Sequence, residues 1–210
     1  MIIFLVTVLT AFALPSTTDA YRLNREGRNL LDRHRYAAAV RVFRQAVDRA
    51  ESDLGPRDPA TAMMLRNLAL ARVQAGDPEA AEQPAKLAYS IIESQFGAVE
   101  PGLTPILNVL AECYAATGRI AEATRASEQA VSIGSLAGVH YGIALHNLGA
   151  LREFSGDPGG AAAMYRRAIE VKIETLGAEH PYVALSRAAL RRVQRNERLA
   201  STVRLEAANE

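Results

Sequence analysis

Small and apolar residues return along this chain in a repeating order. Alanines stand seven apart at Ala39 and Ala46, Ala81 and Ala88, Ala123 and Ala130, and Ala161 and Ala168. Between them, four residues after the first of each pair, are Phe43, Ala85, Ser127 and Tyr165. Residues four and seven apart share one face of an α-helix, so each set predicts a helical stripe of small side chains. Five residues before each stripe is a turn signal: Gly76-Asp77-Pro78, Gly118-Arg119-Ile120 and Gly156-Asp157-Pro158. The first unit has His34-Arg35-Tyr36 there, with histidine in the glycine's place. Upstream lies a second small position, at Gly27, Ala69, Ala111 and Gly149, flanked by Leu23 and Leu30, Leu65 and Leu68, Leu107 and Leu110, and Leu145 and Leu148. That pattern predicts a preceding helix whose small residues meet those of the next.

Each unit is thus an antiparallel helical hairpin, helix A then helix B, and the anchors are 42, 42 and 38 residues apart. Repeats of this period cannot bury their apolar faces alone and stack into a solenoid. The expected fold is all-α: an α-solenoid of about four such hairpins closed by a C-terminal capping helix from Tyr182 to about Leu199. On that helix Leu185, Ala189 and Val193 are expected to face inward, opposite a basic stripe of Arg187, Arg191, Arg195 and Arg198. Asp77 and Asp157 are expected N-caps with Pro78 and Pro158 at the first helical position. Pro84 falls inside a helix B, where it removes the amide that would bond to the Ala80 carbonyl, and predicts a kink. The third unit ends early, in Ile133-Gly134-Ser135-Leu136-Ala137-Gly138-Val139-His140, which predicts a tighter joint.

The ends read differently. Met1 to Leu14 is uncharged and mostly apolar, and Pro15 to Ala20 follows with small residues at Thr18 and Ala20. This is the layout of a signal peptide spanning residues 1–20, cut before Tyr21, although the segment has no Lys or Arg. The expected organisation is therefore a signal peptide (1–20), the solenoid (21–200) and a frayed tail (201–210). Export to the periplasm or the medium follows if the segment is cleaved, and a membrane anchor if it is not. No integral membrane segment is expected once it is removed.

The repeat residues resemble the tetratricopeptide repeat. Leu107, Leu110-Ala111, Tyr114, Gly118, Ala123 and Ala130 carry its pattern, as do Leu145, Leu148-Gly149, Gly156, Ala161, Tyr165 and Ala168. Three further loops read Leu54-Gly55-Pro56-Arg57-Asp58-Pro59, Phe96-Gly97-Ala98-Val99-Glu100-Pro101 and Leu176-Gly177-Ala178-Glu179-His180-Pro181. With Asn67-Leu68-Ala69 and Asn147-Leu148-Gly149 downstream, they are similar to the longer, kinesin-light-chain type of the repeat. The resemblance implies that the A helices line a concave groove that holds an extended peptide. Carried over by register, the groove residues are Asn24, Arg28, Arg66, Asn108, Glu112 and His146, with Arg192 on the capping helix. Asparagine offers a donor and an acceptor to a peptide unit, and arginine a planar fork for a carboxylate.

Composition adds mainly exclusions. The chain has 49% hydrophobic residues, no tryptophan and one cysteine, Cys113, which rules out an internal disulfide. A net charge of +1 gives no global field for nucleic acid, and no nucleic-acid partner is expected. Among the four histidines, His140 and His146 are six apart, on opposite sides of a helix, so no metal pair is expected. Glycine-rich phosphate loops and nucleophile-elbow motifs do not occur, and neither a cofactor nor a catalytic residue is expected. The leading expectation is a non-enzymatic protein-interaction module that takes a protein or peptide ligand. A self-associating, oligomeric scaffold is the alternative, and a hydrolase the third reading.

Overall fold

The computed structural model describes residues 17–207, and within them nine α-helices. Four hairpins pair α1 (Thr17–Asp32) with α2 (Tyr36–Asp53), α3 (Pro59–Gln74) with α4 (Pro78–Phe96), α5 (Leu103–Ala116) with α6 (Ile120–Ile133), and α7 (Val139–Phe154) with α8 (Pro158–Leu176). The final helix, α9 (Pro181–Ala207), packs on α8. Each A helix (α1, α3, α5, α7) touches the next A helix, whereas successive B helices hardly meet. A stack held closer along one layer than the other bends toward it, so the A helices line the concave side.

All eight repeat alanines are fully buried, and so are Phe43, Ala85, Ser127 and Tyr165 between them. Helix A answers helix B in size. Where helix B carries an aromatic ring, helix A has glycine: a Cβ on Gly27 would lie 2.6 Å from the Phe43 ring, and one on Gly149 2.9 Å from Tyr165. Where helix B carries Ala85 or Ser127, helix A has Ala69 or Ala111, themselves buried. Each hairpin interface thus holds one ring against no side chain, or two small side chains together, which keeps the packing dense without strain.

The turns follow their chemistry. Asp77 accepts from the Ala80 amide at 3.3 Å and Asp157 from the Gly160 amide at 2.8 Å, capping α4 and α8. Asp58 caps α3 in the same way, through the Ala60 amide at 2.7 Å. His34 occupies the left-handed region (φ 56°), as Gly76, Gly118 and Gly156 do at the equivalent turns. At the short third joint a single 3₁₀ turn, Ser135–Ala137, sits between Gly134 and Gly138, both with positive φ.

Pro84 lies inside α4, which runs from Pro78 to Phe96, and the Ala80 carbonyl it leaves without an amide accepts from the Arg72 guanidinium of α3. One expectation about helix faces is corrected. On α9, Leu185 is 54% exposed, and the inward stripe is Val183, Ser186, Ala189 and Val193. A step of four residues drifts by about 40° around a helix, so a stripe written as strict fours leaves the buried face. At the N-terminus α1 runs through the expected junction at Ala20–Tyr21, with Ala20 fully buried. The rest of the expected signal peptide, residues 1–16, lies outside the described residues.

Candidate functional site

The small position of each A helix fixes a column three residues before it: Asn24, Arg66, Asn108 and His146. Of these, Asn24 and Asn108 bond across neighbouring A helices, Arg66 bonds within its own helix, and His146 meets α8 and α9. Asn67 of α3 donates through Nδ2 to Asn24 Oδ1 of α1 at 2.7 Å and accepts from Arg66 Nη2 at 2.6 Å. Asn108 of α5 donates through Nδ2 to the His140 carbonyl of α7 at 2.9 Å. Asn24 and Asn108 are both buried. Polar groups at a close helix contact gain by finding partners when water is excluded; Asn24 and the Asn108 amide nitrogen find them in the adjacent repeat, while Asn108 Oδ1 has none.

Arg66 stands apart. The side chain is half-buried with its Nε shielded from water, and its pKa is lowered by burial and then by the charge of Arg28. Its Nε has no hydrogen-bond partner, and no carboxylate pairs with it among the described residues. Arg28, on the preceding A helix, is exposed. His140 lies near enough for Arg66 to act on it; its pKa is pushed down to about 4, by burial first and Arg66 second. The centre of the concave face therefore holds positive charge without a counter-ion among the described residues.

One repeat further on, Glu112 of α5 and Asn147 of α7 line an open pocket of about 280 Å³ with Ala111, Ala115, Ile120, Ala150, Leu151 and Phe154. Burial raises the Glu112 pKa to about 7, partly offset by the Asn147 side chain. Asn67 and Asn147 join the groove without being among the residues that register selects. A signal for them is present in the sequence, since both stand two residues before the small position of their helix.

The remaining two expected residues join the last repeat to the cap. His146 Nδ1 lies 3.1 Å from Ser186 Oγ of α9, and Lys172 of α8 donates to the same oxygen at 2.9 Å. His146 is held at about 4 by burial first, then by Lys172 and Arg192. Arg192 makes a two-pronged pair with Glu153, Nε to Oε1 at 2.9 Å and Nη2 to Oε2 at 2.7 Å, while the Tyr165 hydroxyl donates to Oε2 at 3.0 Å. The structure thus groups the expected residues into three sets: Asn24, Arg28, Arg66 and Asn108; Glu112 alone in its pocket; and His146 and Arg192 at the cap.

Serine, lysine and histidine together are groups used in nucleophilic catalysis. Here Ser186 is 0% and Lys172 2% exposed, so no substrate carbonyl reaches the hydroxyl. Cys113 is also buried, and its thiol is pushed up to about 12, chiefly by burial, which disfavours the reactive thiolate. Among the described residues no group of three His, Cys, Asp or Glu side chains is placed to hold a metal ion. No described helix is long and apolar enough to cross a membrane.

The tetratricopeptide-repeat family profile matches residues 19–94 and 103–174, most of the chain. The chain belongs to the tetratricopeptide-repeat family. Crystal structures of nearly identical tetratricopeptide-like repeats from a Podosopora anserina kinesin light chain protein share the architecture. A point-variant form of those repeats superposes with a TM-score of 0.68 at 20% identity, over 90% of this chain and 92% of that one. A second structure of them gives 0.65 at 21% identity, over 90% and 95%. BtubC (BKLC) from P. vanneervenii gives 0.63 at 20% identity, over 77% of this chain and 66% of the other. At these identities the likeness is one of fold. A search of curated proteins found no match. Tetratricopeptide repeats are protein-interaction modules, and nothing among the described residues assembles an accessible catalytic centre.

Proposed function

We propose that the protein binds an extended segment of a partner protein along the concave face of its A helices, with a carboxylate of that segment seated on Arg66. The observation that carries this reading is the half-buried Arg66 guanidinium, whose Nε is shielded from water and unpaired, which lies within the field of Arg28 and lacks an anionic partner among the described residues. A buried charge of that kind is costly unless it is paired, and a ligand carboxylate supplies the pair. The reading implies a division of labour. Asn24, Asn67 and Asn108 hold neighbouring repeats in register, while Arg28 and Arg66 present charge to the ligand.

The test is selection from a random peptide display library on the protein, followed by affinity measurement on two double variants. Peptides with an acidic residue are expected to be enriched and to bind Arg28→Ala with Arg66→Ala tenfold to a hundredfold more weakly. That loss corresponds to about 1.5–3 kcal/mol for a charge-assisted bond. Arg191→Ala with Arg195→Ala, on the exposed face of α9, is expected to bind normally. Enriched peptides that ignore the first variant and lose binding to the second would move the site to the basic cap.

We also propose that residues 1–20 direct export. The support is the apolar stretch followed by Thr18 and Ala20. N-terminal sequencing of the soluble protein from its producing cell tests it: a product beginning near Tyr21 supports export, and recovery of Met1 opposes it.

A further inference from the structure

The pocket between α5 and α7 is walled by small and apolar residues. Ala111, Ala115 and Ala150 leave its volume open, and Ile120, Leu151 and Phe154 bound it. Phe154 is 74% exposed, an uncommon position for an aromatic ring at the edge of a cavity. At about 280 Å³ the space is below that of drug-sized ligand sites and suits one long side chain. Glu112 is the one charged group lining it. It pairs with no lysine, arginine or histidine among the described residues, and it is half-buried.

We infer that this pocket receives an arginine side chain of the bound segment, its methylenes against Ala115 and Ala150, its guanidinium between Glu112 and the Phe154 ring. The inference rests on the groove reading above and adds a second subsite to it. Above pH 7, where the Glu112 carboxyl is ionised, charge complementarity chooses a cation over a neutral or anionic side chain. Guanidinium is chosen over ammonium because it is more weakly hydrated, stacks on aromatic faces, and meets a carboxylate with two parallel donors. The half-buried carboxylate has less water to lose than an exposed one, and the guanidinium loses less than a lysine ammonium would. Together with Arg66 one repeat away, the site reads a segment that carries an acid and a base in fixed order along the A-helix column.

The test uses small probes, so that it does not depend on whether an extended peptide binds at all. The uniformly ¹⁵N-labelled protein is titrated with n-butylguanidinium, with n-pentanol and with n-pentanoate, and amide shifts are followed. The expected result is saturable shifts confined to α5 around Ala111–Ala115 and α7 around Asn147–Phe154 with the guanidinium. The alcohol is expected to bind about tenfold or more weakly, and pentanoate not at all. Glu112→Gln, which keeps the side chain's shape, is expected to retain the native spectrum and lose the preference for the cation. Equal binding of the guanidinium and pentanol would show an apolar subsite only and overturn the inference, as would a preference that survives Glu112→Gln. Guanidinium binding here with no acidic peptide selected at Arg66 would keep this subsite and remove the carboxylate reading. Acidic peptides bound at Arg66, with no guanidinium preference here, would do the reverse.

Discussion

Gly27 of α1 lies against the ring of Phe43 of α2 so closely that a Cβ on the glycine would stand 2.6 Å from it. The same relation recurs between Gly149 and Tyr165, and it is replaced by paired small residues in the two middle hairpins. Gly27→Ala is therefore expected to cost about 1–3 kcal/mol, as overpacking does. Phe43→Ala costs about 3–5 kcal/mol by leaving a cavity. In the double variant the added methyl enters that cavity, so the two losses are expected to fall short of their sum by at least about 1 kcal/mol. Urea unfolding of the four species checks it; strict additivity would mean that the glycine is not there to admit the ring.

Arg72 and Pro84 form a second coupled pair. The Ala80 carbonyl loses its helical amide to the proline and takes the Arg72 guanidinium instead. Arg72→Ala is expected to destabilise the protein by about 1–3 kcal/mol, the cost of leaving that acceptor unpaired. In a Pro84→Ala background the amide of residue 84 satisfies the carbonyl, and the loss is expected to shrink. A double-mutant cycle in urea reads the difference.

These two pairs show what the sequence makes legible. Spacing reveals the alanine columns, the turn at residue 34 and the N-caps Asp77 and Asp157, because each depends on residues near in the chain. The partner of Gly27 is 16 residues away on another helix, and neither residue alone announces the match. The same limit governs the site. Register locates Asn24, Arg66, Asn108 and His146 as a column, but contact between repeats decides that Asn24 and Asn108 are buried and bonded while Arg66 is left without an anion. Leu185 escapes a reading by spacing for a related reason, since a capping helix has one neighbouring layer and its orientation is set by packing on α8.

His34 adopts the left-handed conformation that its counterparts fill with glycine. A side chain there costs about 1–2 kcal/mol, offset in part by the entropy that glycine adds to the unfolded chain. His34→Gly is expected to raise stability by up to about 1 kcal/mol. It does so even though it removes the 2.7 Å contact between His34 Nδ1 and the Tyr36 hydroxyl on the surface. His34→Val should lower it. Thermal unfolding of the two variants distinguishes them.

Lys172 is buried with a serine as its hydrogen-bond partner, and burial pushes its pKa down from 10.5 to about 8. Below pH 8 the ammonium is charged in both the folded and the unfolded chain, and the folded one bears the desolvation cost. Between pH 8 and 10.5 only the unfolded chain keeps the proton, so the destabilisation from this group deepens as pH falls through that window and is relieved as pH rises. Lys172→Met is expected to stabilise the protein at pH 7, on the order of 1–3 kcal/mol, with the advantage fading toward pH 10.5. Because Lys172 also helps to hold His146 at about 4, the imidazole is expected to titrate higher in the variant, which an NMR pH titration reads directly.

A partner seated on the concave layer of A helices, with Arg66 at its centre, must shield those helices from exchange. Hydrogen–deuterium exchange of the protein with and without a selected peptide reads this. Added protection is expected in α3, α5 and α7, lost in the Arg28→Ala, Arg66→Ala variant, with α4, α6 and α8 unchanged. Protection confined to the B helices or to the basic face of α9, with the A helices unchanged, would contradict it.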